Sequence, residues 1–365
     1  MNPLKQLQTF GQSVWLDFIR RSMLHDGTLE TFIRQDGVSG MTSNPSIFEQ
    51  AIAQSNDYTE AIAALAGQGK SPDAIYQTLT VEDVRQAADI FTGVYRESER
   101  RDGYVSLEVD PRLAYDTTGT VEDARRLWAA LDRPNVMIKV PATREGLPAI
   151  RGLLTEGINV NVTLLFSVER YRAVAEAYIA ALETRLARGL PLENVASVAS
   201  FFVSRIDTLV DALLARHPCA EAGALKGRIA VASAKAAYAV YQEMFHGERF
   251  RALEAHGARP QRLLWASTST KNPAYSDVKY IEALIGPETV TTIPLKTLAA
   301  YRDHGRPAER LTSGIAEAQA ALARLAELQI DLQAAMQQLE EEGVQKFIHA
   351  FTGLMHTLEE AAARA

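Results

Sequence analysis

The 365-residue sequence has very little cysteine and no long apolar run. Its single cysteine, Cys219, excludes an internal disulfide and is typical of proteins kept in a reducing cytoplasm. No stretch approaches the ~18 apolar residues of a membrane span, and the N-terminal residues lack the apolar core of a signal peptide. The sequence therefore predicts a cytoplasmic protein that does not enter the membrane.

Positive charge is scarce as well. The chain has 38 lysine and arginine residues against 45 aspartate and glutamate residues, which gives a net charge of −7 at pH 7. A surface that binds nucleic acid or anionic lipid needs an excess of basic side chains. We therefore expect neither nucleic acid nor a membrane as a partner. Whether the protein forms a homo-oligomer is left open by the sequence.

Motifs for metals and organic cofactors are also missing. The seven histidines show no metal-ligand spacing, and His349 and His356 are expected to be exposed on a helix. Cys219 has no neighbouring base that would make it a nucleophile. No GxGxxG segment follows the first predicted strand. We therefore expect no metal and no cofactor.

The sequence does contain a regular alternation of strands and helices. Eight short apolar or β-rich runs are separated by longer helical stretches. The runs cover residues 13–19, 37–44, 104–110, 135–141, 158–166, 194–202, 262–268 and 288–294. This alternation predicts a parallel α/β fold, and eight units is the number that closes a (β/α)₈ TIM barrel. The missing glycine motif disfavours a doubly wound sheet, the alternative architecture.

Such a barrel needs only ~250 residues, so about a hundred remain. Residues 45–103 are long enough for two or three additional helices. Residues 311–365, rich in alanine, glutamine and glutamate, are predicted to be helical throughout. We expect a catalytic barrel domain over residues 1–310 with this C-terminal helical segment packed on it. Thr120 and Ser167 are predicted to cap the N-termini of two barrel helices.

A lysine interrupts one of the apolar runs. Residues 135–141, NVMIKVP, have the composition of a strand buried on both faces, yet they contain Lys139. A lysine is rarely buried unless something compensates for its charge. The chain has only nine lysines against 29 arginines, so this one does not come from a lysine-rich surface. Two interpretations follow: a buried ion pair with Glu108 or Asp17, or a catalytic amine.

Polar residues also lie near the ends of other runs. They are Asp17, Asn44, Glu108, Asn161, Thr163, Ser200 and Ser267. Because the active sites of barrels lie at the C-terminal ends of the strands, these side chains and Lys139 are expected to converge on one mouth. Burial disfavours the charged form of an amine, and the neutral form that remains can act as a nucleophile. A neutral amine forms a Schiff base with a carbonyl, which accepts electrons during carbon–carbon cleavage while carboxylates move protons.

At these residues the sequence resembles the transaldolase family. The motifs are GMTSNPSIF (40–48), VSLEVDPRLAYDT (105–117), MIKVPATREG (137–146), GINVNVTLLFS (157–167) and WASTSTKNPAYSD (265–277). They occur in the family's order and span most of residues 10–300. The chain length and the STSTKNPAYSDVKY variant are similar to the longer bacterial and plant branch rather than the shorter enteric type.

The resemblance implies catalytic roles for four residues. Lys139 would form the Schiff base with a ketose phosphate, and Asp17 would be the acid/base at the C4 hydroxyl of the substrate. Glu108 and Thr163 would position a catalytic water.

The resemblance also implies residues that bind substrate. Asn44 and Asn161 would hold hydroxyls of the dihydroxyacetone unit, and Ser200 would line the same pocket. Arg205 would bind phosphate, unless it forms a surface salt bridge with Asp207.

A second phosphate ligand is harder to assign. Shorter members of the family use a serine and a nearby arginine, whereas the ASTSTKN stretch here is two residues longer and has no arginine. Ser267 is retained. Lys271 is the candidate replacement, although an ammonium group cannot reproduce the two-pronged bond of a guanidinium.

The resemblance thus implies a transferase of the non-oxidative pentose phosphate pathway. It would move a dihydroxyacetone unit from a ketose phosphate, such as sedoheptulose 7-phosphate or fructose 6-phosphate, to an aldose phosphate. Two alternatives stay open. One is an aldolase of the same chemistry that releases free dihydroxyacetone, and the other is a non-catalytic barrel that binds sugar phosphates.

Overall fold

The structure, a computed structural model, describes residues 2–364. Eight parallel strands pair in chain order, and the last pairs with the first to close a barrel. The strands are β1 (Gln12–Asp17), β2 (Val38–Thr42), β3 (Val105–Glu108), β4 (Val136–Pro141), β5 (Val160–Leu165), β6 (Ser197–Phe202), β7 (Arg262–Ala266) and β8 (Thr289–Ile293). The predicted (β/α)₈ TIM barrel is confirmed, and the doubly wound sheet is excluded because the sheet is closed.

Each strand overlaps one of the eight predicted runs. These strands are almost wholly buried, since helices cover the outside of the barrel while side chains fill its interior. A strand buried on both faces needs apolar residues at nearly every position. That requirement explains why short continuous apolar runs located the strands correctly.

Helices surround the barrel. They are α1 (Pro3–Gln6), α2 (Arg21–His25), α3 (Thr28–Asp36), α4 (Pro45–Ala53), α5 (Thr59–Gly67), α6 (Pro72–Ile90), α7 (Thr92–Glu97), α8 (Thr117–Leu131), α9 (Gly146–Glu156), α10 (Val168–Ala187), α11 (Ser204–Leu214), α12 (Ala220–Leu225), α13 (Ile229–Phe245), α14 (Glu248–Glu254), α15 (Lys279–Ala283), α16 (Leu295–His304), α17 (Ile315–Glu327) and α18 (Leu332–Arg364). Two short 3₁₀ helices cover Leu7–Phe10 and Pro111–Leu113.

One of the two predicted N-caps is correct. Ser167 caps α10, and its hydroxyl accepts a hydrogen bond from the Arg170 amide at 2.9 Å. The Thr120 prediction is wrong, because α8 begins earlier and its cap is Asp116, which accepts from the Gly119 amide at 3.0 Å. Asp116 and Thr120 both carry a side chain that can cap a helix, and both precede helix-forming residues. The structure uses Asp116, the earlier of the two.

The helices beyond those of a simple barrel differ in detail from the prediction. Residues 45–103 hold four helices, α4–α7, rather than two or three. The C-terminal segment is not helical throughout, since α17 and α18 are separated by residues 328–331. Gln329 has a left-handed φ of 57°, a conformation that ends helices, and Asp331 then accepts a hydrogen bond from the Ala334 amide at 3.0 Å. Residues 1 and 365 of the predicted segments lie outside the described residues.

The long helix α18 crosses the C-terminal mouth of the barrel. It contacts α4, α5, α6 and α11 and the end of β5. Helices α4 and α11 begin directly after β2 and β6, so their first turns mark that mouth. Buried apolar residues recur along α18 at intervals of three to five positions, at Met336, Leu339, Val344, Phe347, Phe351, Leu354 and Leu358. This stripe seals the helix against the barrel.

A tryptophan fills the barrel interior below the mouth. Trp15 of β1 is fully buried, and its ring lies against Gly40 of the neighbouring strand β2. A Cβ atom at Gly40 would lie 2.6 Å from the Trp15 ring, so only glycine leaves room for it. The ring therefore packs where β2 has no side chain.

No helix within residues 2–364 has both the length and the hydropathy needed to cross a membrane.

Candidate active site

A cavity of about 460 Å³ opens at the C-terminal mouth of the barrel. Eight of the ten residues predicted from the sequence line it: Asp17, Asn44, Lys139, Thr163, Ser200, Arg205, Ser267 and Lys271. The other two, Glu108 and Asn161, lie directly beneath and contact lining residues. The structure thus brings all ten side chains together, because each comes from the C-terminal end of a strand, from the loop that follows it or, for Arg205, from the first turn of the next helix.

Lys139 lies at the floor of this cavity and is only 4% exposed. Its Nζ donates a hydrogen bond to the Ser43 carbonyl at 2.9 Å and lies 3.3 Å from Glu108 Oε2. Strand register produces this contact, since Glu108 and Lys139 are paired residues of β3 and β4. The ion pair with Glu108 is therefore present. It does not exclude a catalytic role, because the amine also faces the cavity.

Two carboxyl groups flank the lysine. Burial raises the pKa of Asp17 and of Glu108 above their usual values, and the nearby Lys139 ammonium opposes this rise in both cases. Asp17 also accepts a hydrogen bond from Thr42 Oγ1 at 2.7 Å, which orients the carboxyl. Buried carboxyl groups with raised pKa values are candidates for the groups that take up and release protons in catalysis.

Several polar atoms near the lysine are buried without a protein partner. Glu108 Oε1 and Thr163 Oγ1 make no hydrogen bond within residues 2–364, whereas Glu108 Oε2 contacts Lys139 Nζ in the ion pair. Most buried polar atoms in proteins are hydrogen-bonded, so exceptions in a cavity are available to a ligand or a water molecule. These atoms can therefore receive a small polar molecule beside Lys139.

The two asparagines are held differently. Asn161 donates to Ser106 Oγ at 3.0 Å and accepts from Ser200 Oγ at 2.6 Å, which fixes the orientation of its amide. Asn44 uses its side-chain oxygen to cap α4, accepting from the Ile47 amide at 3.0 Å. The NH₂ group of Asn44 then remains the donor with which it can contact a ligand.

Arg205, at the start of α11, lines the cavity without a carboxylate partner. No aspartate or glutamate oxygen within residues 2–364 lies at ion-pair distance, and the guanidinium stacks on the Phe202 ring at 5.3 Å. The expected alternative, a salt bridge to Asp207, is wrong. Asp207 instead accepts hydrogen bonds from Lys279 and Tyr280, each at 2.9 Å. Residues two apart on a helix do not face each other, which explains the separation.

The loop after β7 supplies a serine and a lysine. Ser267 has a left-handed φ of 54°, unusual for a residue with a side chain, and its Oγ lies 3.0 Å from Ser204 Oγ. Lys271 donates to Ser269 Oγ at 2.6 Å. Burial, followed by the neighbouring Lys346 and Arg205, lowers the pKa of Lys271. Positive charge is therefore concentrated on this side of the cavity.

Sequence reasoning missed the lining residues that come from the last helices of the chain. Lys346 and Phe347 of α18 line the cavity, as does Lys296 at the start of α16. Nothing local distinguishes the segment around Lys346 from the rest of an alanine- and glutamate-rich helix. Its position depends on where α18 crosses the barrel. Within residues 2–364, no group of three histidine, cysteine, aspartate or glutamate side chains is placed to hold a metal.

Comparisons with known proteins agree with the geometry. The model of the transaldolase/fructose-6-phosphate aldolase family matches residues 14–358. A transaldolase of Thiobacillus denitrificans is 50% identical over 355 residues, which cover 97% of this chain and 99% of that protein. A transaldolase of Saccharopolyspora erythraea is 48% identical over 364 residues, covering 99% of this chain and 98% of its own length. With its barrel, its buried lysine and these relatives, the chain belongs to the transaldolase/fructose-6-phosphate aldolase family.

Proposed function

We propose that this protein is a transaldolase that transfers a dihydroxyacetone unit between sugar phosphates through a Schiff base on Lys139. The observation that carries the proposal is the Lys139 amine itself. It is buried at the floor of the mouth cavity, between two carboxyl groups whose pKa values burial raises. An amine in that setting can attack a ketone, and the carboxyls can move the protons that the reaction requires.

The first half of the reaction uses the donor. Lys139 Nζ attacks the C2 carbonyl of the ketose phosphate, and loss of water gives the imine. Asp17 takes the proton of the C4 hydroxyl as the C3–C4 bond breaks, and the bonding electrons move into the imine to give an enamine. The shortened aldose phosphate then leaves. In the second half, the enamine carbon attacks the acceptor aldehyde, and Asp17 returns the proton to the new C4 hydroxyl. Water then hydrolyses the resulting imine, which releases the new ketose phosphate and restores the Lys139 amine.

Other side chains bind and orient the reactants. Glu108 and Thr163 have free buried polar atoms beside Lys139, which suits them to position the water that forms and breaks the imine. Asn161, held between Ser106 and Ser200, and the amide of Asn44 are placed to bind hydroxyls of the three-carbon unit.

The cationic side of the cavity would receive the phosphate. Arg205 has no carboxylate partner within residues 2–364, and Ser267 and Lys271 lie on the same wall. A guanidinium without a carboxylate partner is a strong site for a phosphate group, since its planar fork can donate two parallel hydrogen bonds to the phosphate oxygens. Sugar phosphates are therefore the proposed small-molecule partners.

The setting we propose is the cytoplasm and the non-oxidative pentose phosphate pathway. The one cysteine, Cys219, is free and exposed, a state that a reducing compartment preserves. We also propose that the catalytic domain ends near residue 310 and that the following helices form a segment packed on it.

Borohydride trapping tests the Schiff base. Borohydride added with fructose 6-phosphate should reduce the imine and leave a stable adduct on the peptide MIKVPATR, residues 137–144, which contains Lys139. The Lys139→Met variant is the control and should give no adduct. Mass spectrometry that finds no adduct, or finds it only on another lysine, would sink the proposed mechanism.

Release of free dihydroxyacetone is the second candidate, because the matching family includes fructose-6-phosphate aldolase. A coupled assay with and without an acceptor aldehyde separates the two activities. A transaldolase forms aldose product only up to the enzyme concentration when no acceptor is present. Sustained turnover without acceptor would favour the aldolase.

A further inference from the structure

Three cations from three separate segments meet in the mouth cavity. Arg205 comes from the first turn of α11, Lys271 from the loop after β7 and Lys346 from α18. None of them has a carboxylate at ion-pair distance within residues 2–364. Their mutual repulsion lowers pKa values: Arg205 is the main cause of the lowered pKa of Lys346, with burial second. Asp17, Glu108 and Glu342 attract Arg205 only from beyond ion-pair distance, so the cluster holds positive charge that no carboxylate pairs with directly.

Helix α18 is held close to this cluster by a glycine. A Cβ atom at Gly343 would lie 3.0 Å from Leu164 Cδ2 and 3.5 Å from Arg205 Nη1, so the helix backbone runs directly against the barrel end. Glycine is unfavourable in the interior of a helix, and here its lack of a side chain permits the close approach. Leu164 meets it from a bulge in β5 and has a left-handed φ of 54°.

This contact determines where Lys346 lies. Residues three and four positions apart share one face of a helix. Lys346 and Phe347 follow Gly343 by three and four positions, and both line the cavity. Phe347 is buried against the barrel while Lys346 remains exposed to solvent at the cavity wall. The position of the lysine is thus fixed by backbone packing and not only by its own flexible side chain.

We propose that Lys346 is a substrate-binding residue that, with Arg205 and Lys271, binds the phosphate group of the sugar phosphates. This inference rests on the proposed function and extends it by giving α18 a part in substrate recognition. A phosphate monoester carries a charge of about −1.5 to −2 at neutral pH and three acceptor oxygens. Such a group balances the cluster, whereas a non-phosphorylated sugar leaves it unbalanced. Lys346 is therefore also a determinant of specificity for phosphorylated acceptors.

Binding of inorganic phosphate tests the proposal without relying on activity. We expect Lys346→Ala to weaken phosphate binding about tenfold, equivalent to one lost charge-assisted hydrogen bond. Lys346→Arg should bind close to the wild type. The matched control is Lys226→Ala, which removes one exposed positive charge that does not line the cavity and should leave the affinity unchanged. Titration calorimetry that finds equal phosphate affinity for the wild type and Lys346→Ala would overturn the proposal.

Acceptor kinetics give a second, independent result. For Lys346→Ala we expect kcat/KM with glyceraldehyde 3-phosphate to fall about tenfold, mainly through KM, and kcat/KM with glyceraldehyde to change less than about twofold. Equal losses with both acceptors would overturn the role of Lys346 and leave the proposed activity intact. If the wild type transfers no three-carbon unit to either acceptor, the proposed function fails, and the phosphate titration still decides whether Lys346 belongs to an anion site.

Discussion

The two ends of the barrel shift the pKa values of their buried carboxyl groups in opposite directions. At the N-terminal end, Asp102 accepts hydrogen bonds from Ser13 at 2.7 Å and from Trp15 and Arg262 at 3.0 Å each. Burial alone would raise the pKa of Asp102, yet the Arg262 guanidinium and these donors bring it below its usual value. Every charge in this network has a partner, so the network stabilises the fold.

A second cavity, of about 380 Å³, lies at that end and is lined by several arginines. Three of them each donate a hydrogen bond to the protein. Arg101 donates to the Gly11 carbonyl at 3.1 Å, Arg259 donates to the Glu99 carbonyl, and Arg100 donates to Asn194 Oδ1 at 2.5 Å. Tyr241 also lines this cavity, and its buried hydroxyl has no hydrogen-bond partner within residues 2–364. What this cavity lacks, although it is comparable in size, is a lysine between two buried carboxyl groups. The choice between the two cavities therefore rests on their chemistry and not on their volume.

At the C-terminal mouth, burial outweighs the attraction of neighbouring cations on the carboxyl groups. Burial raises the pKa values of Asp17 and Glu108, and it lowers the pKa of Arg205 against the opposing pull of Asp17. Each of these shifts means that the fold disfavours the charged form. Such strain is typical of sites shaped for catalysis or binding. The comparison teaches that both oxygens of the buried Asp102 accept hydrogen bonds, whereas Glu108 Oε1 and Thr163 Oγ1 at the mouth have no hydrogen-bond partner within residues 2–364.

Among substitutions that test this difference between the two ends, we expect Asp17→Asn to have the largest effect. An amide cannot take the proton of the C4 hydroxyl, so kcat should fall about 10²- to 10⁴-fold. Stability should rise at neutral pH. The folded pKa of Asp17 lies above the usual 3.8, so the native state binds more protons between the two values and the wild type loses stability as pH increases through that window.

The variant lacks this loss, so its melting temperature should exceed that of the wild type by an amount that grows as the pH rises above 3.8, the usual pKa of an aspartate. The asparagine oxygen can still accept the hydrogen bond from Thr42, which limits other structural change. Thermal unfolding across this pH range measures the difference. If the variant melts at a lower temperature than the wild type at neutral pH, the charged form of Asp17 does not destabilise the folded protein, and this prediction is wrong.

The next effect, at the opposite end, is on stability alone. Asp102→Ala leaves the buried Arg262 without its carboxylate, and removing one partner of a buried pair costs about 3–5 kcal/mol in free energy of unfolding. Activity per folded molecule should be unchanged. Urea unfolding and active-site titration by borohydride trapping measure the two quantities.

The double variant Asp102→Ala/Arg262→Met is the matched control and should recover part of the loss, because no buried charge is then left alone. If Asp102→Ala does not fold, Asp102→Asn gives the same comparison at smaller cost. A variant that kept its stability but lost activity would break the division between a structural and a functional end.

The smallest of the three effects concerns Arg205. A hydrogen bond to a charged group contributes roughly 1.5–3 kcal/mol, so Arg205→Ala should lower kcat/KM with glyceraldehyde 3-phosphate about ten- to a hundredfold. The loss with glyceraldehyde should be much smaller. Arg251→Ala, which removes an exposed arginine on α14, controls for net charge. Similar losses with both acceptors would mean that Arg205 does not bind the acceptor phosphate.

Much of the fold could be predicted because barrel strands have a distinctive pattern. Runs buried on both faces located all eight strands, and Lys139 and Glu108 stood out within them. The helices between strands were harder to delimit. The cap of α8 is Asp116 rather than Thr120, because two suitable capping residues lie close together and packing selects one. The four helices of residues 45–103 likewise carry no motif that fixes their number.

The sequence by itself determined the barrel and the set of polar residues at its strand ends. The reason is physical: side chains alternate with a period of two along a strand, and parallel strands bring their C-terminal ends to one mouth. Only the tertiary structure decided that Asp207 pairs with Lys279 and leaves Arg205 free. It also decided that Lys346 reaches the cavity. The close contact of Gly343 with Leu164 joins residues far apart in the chain, and no local pattern encodes such a contact.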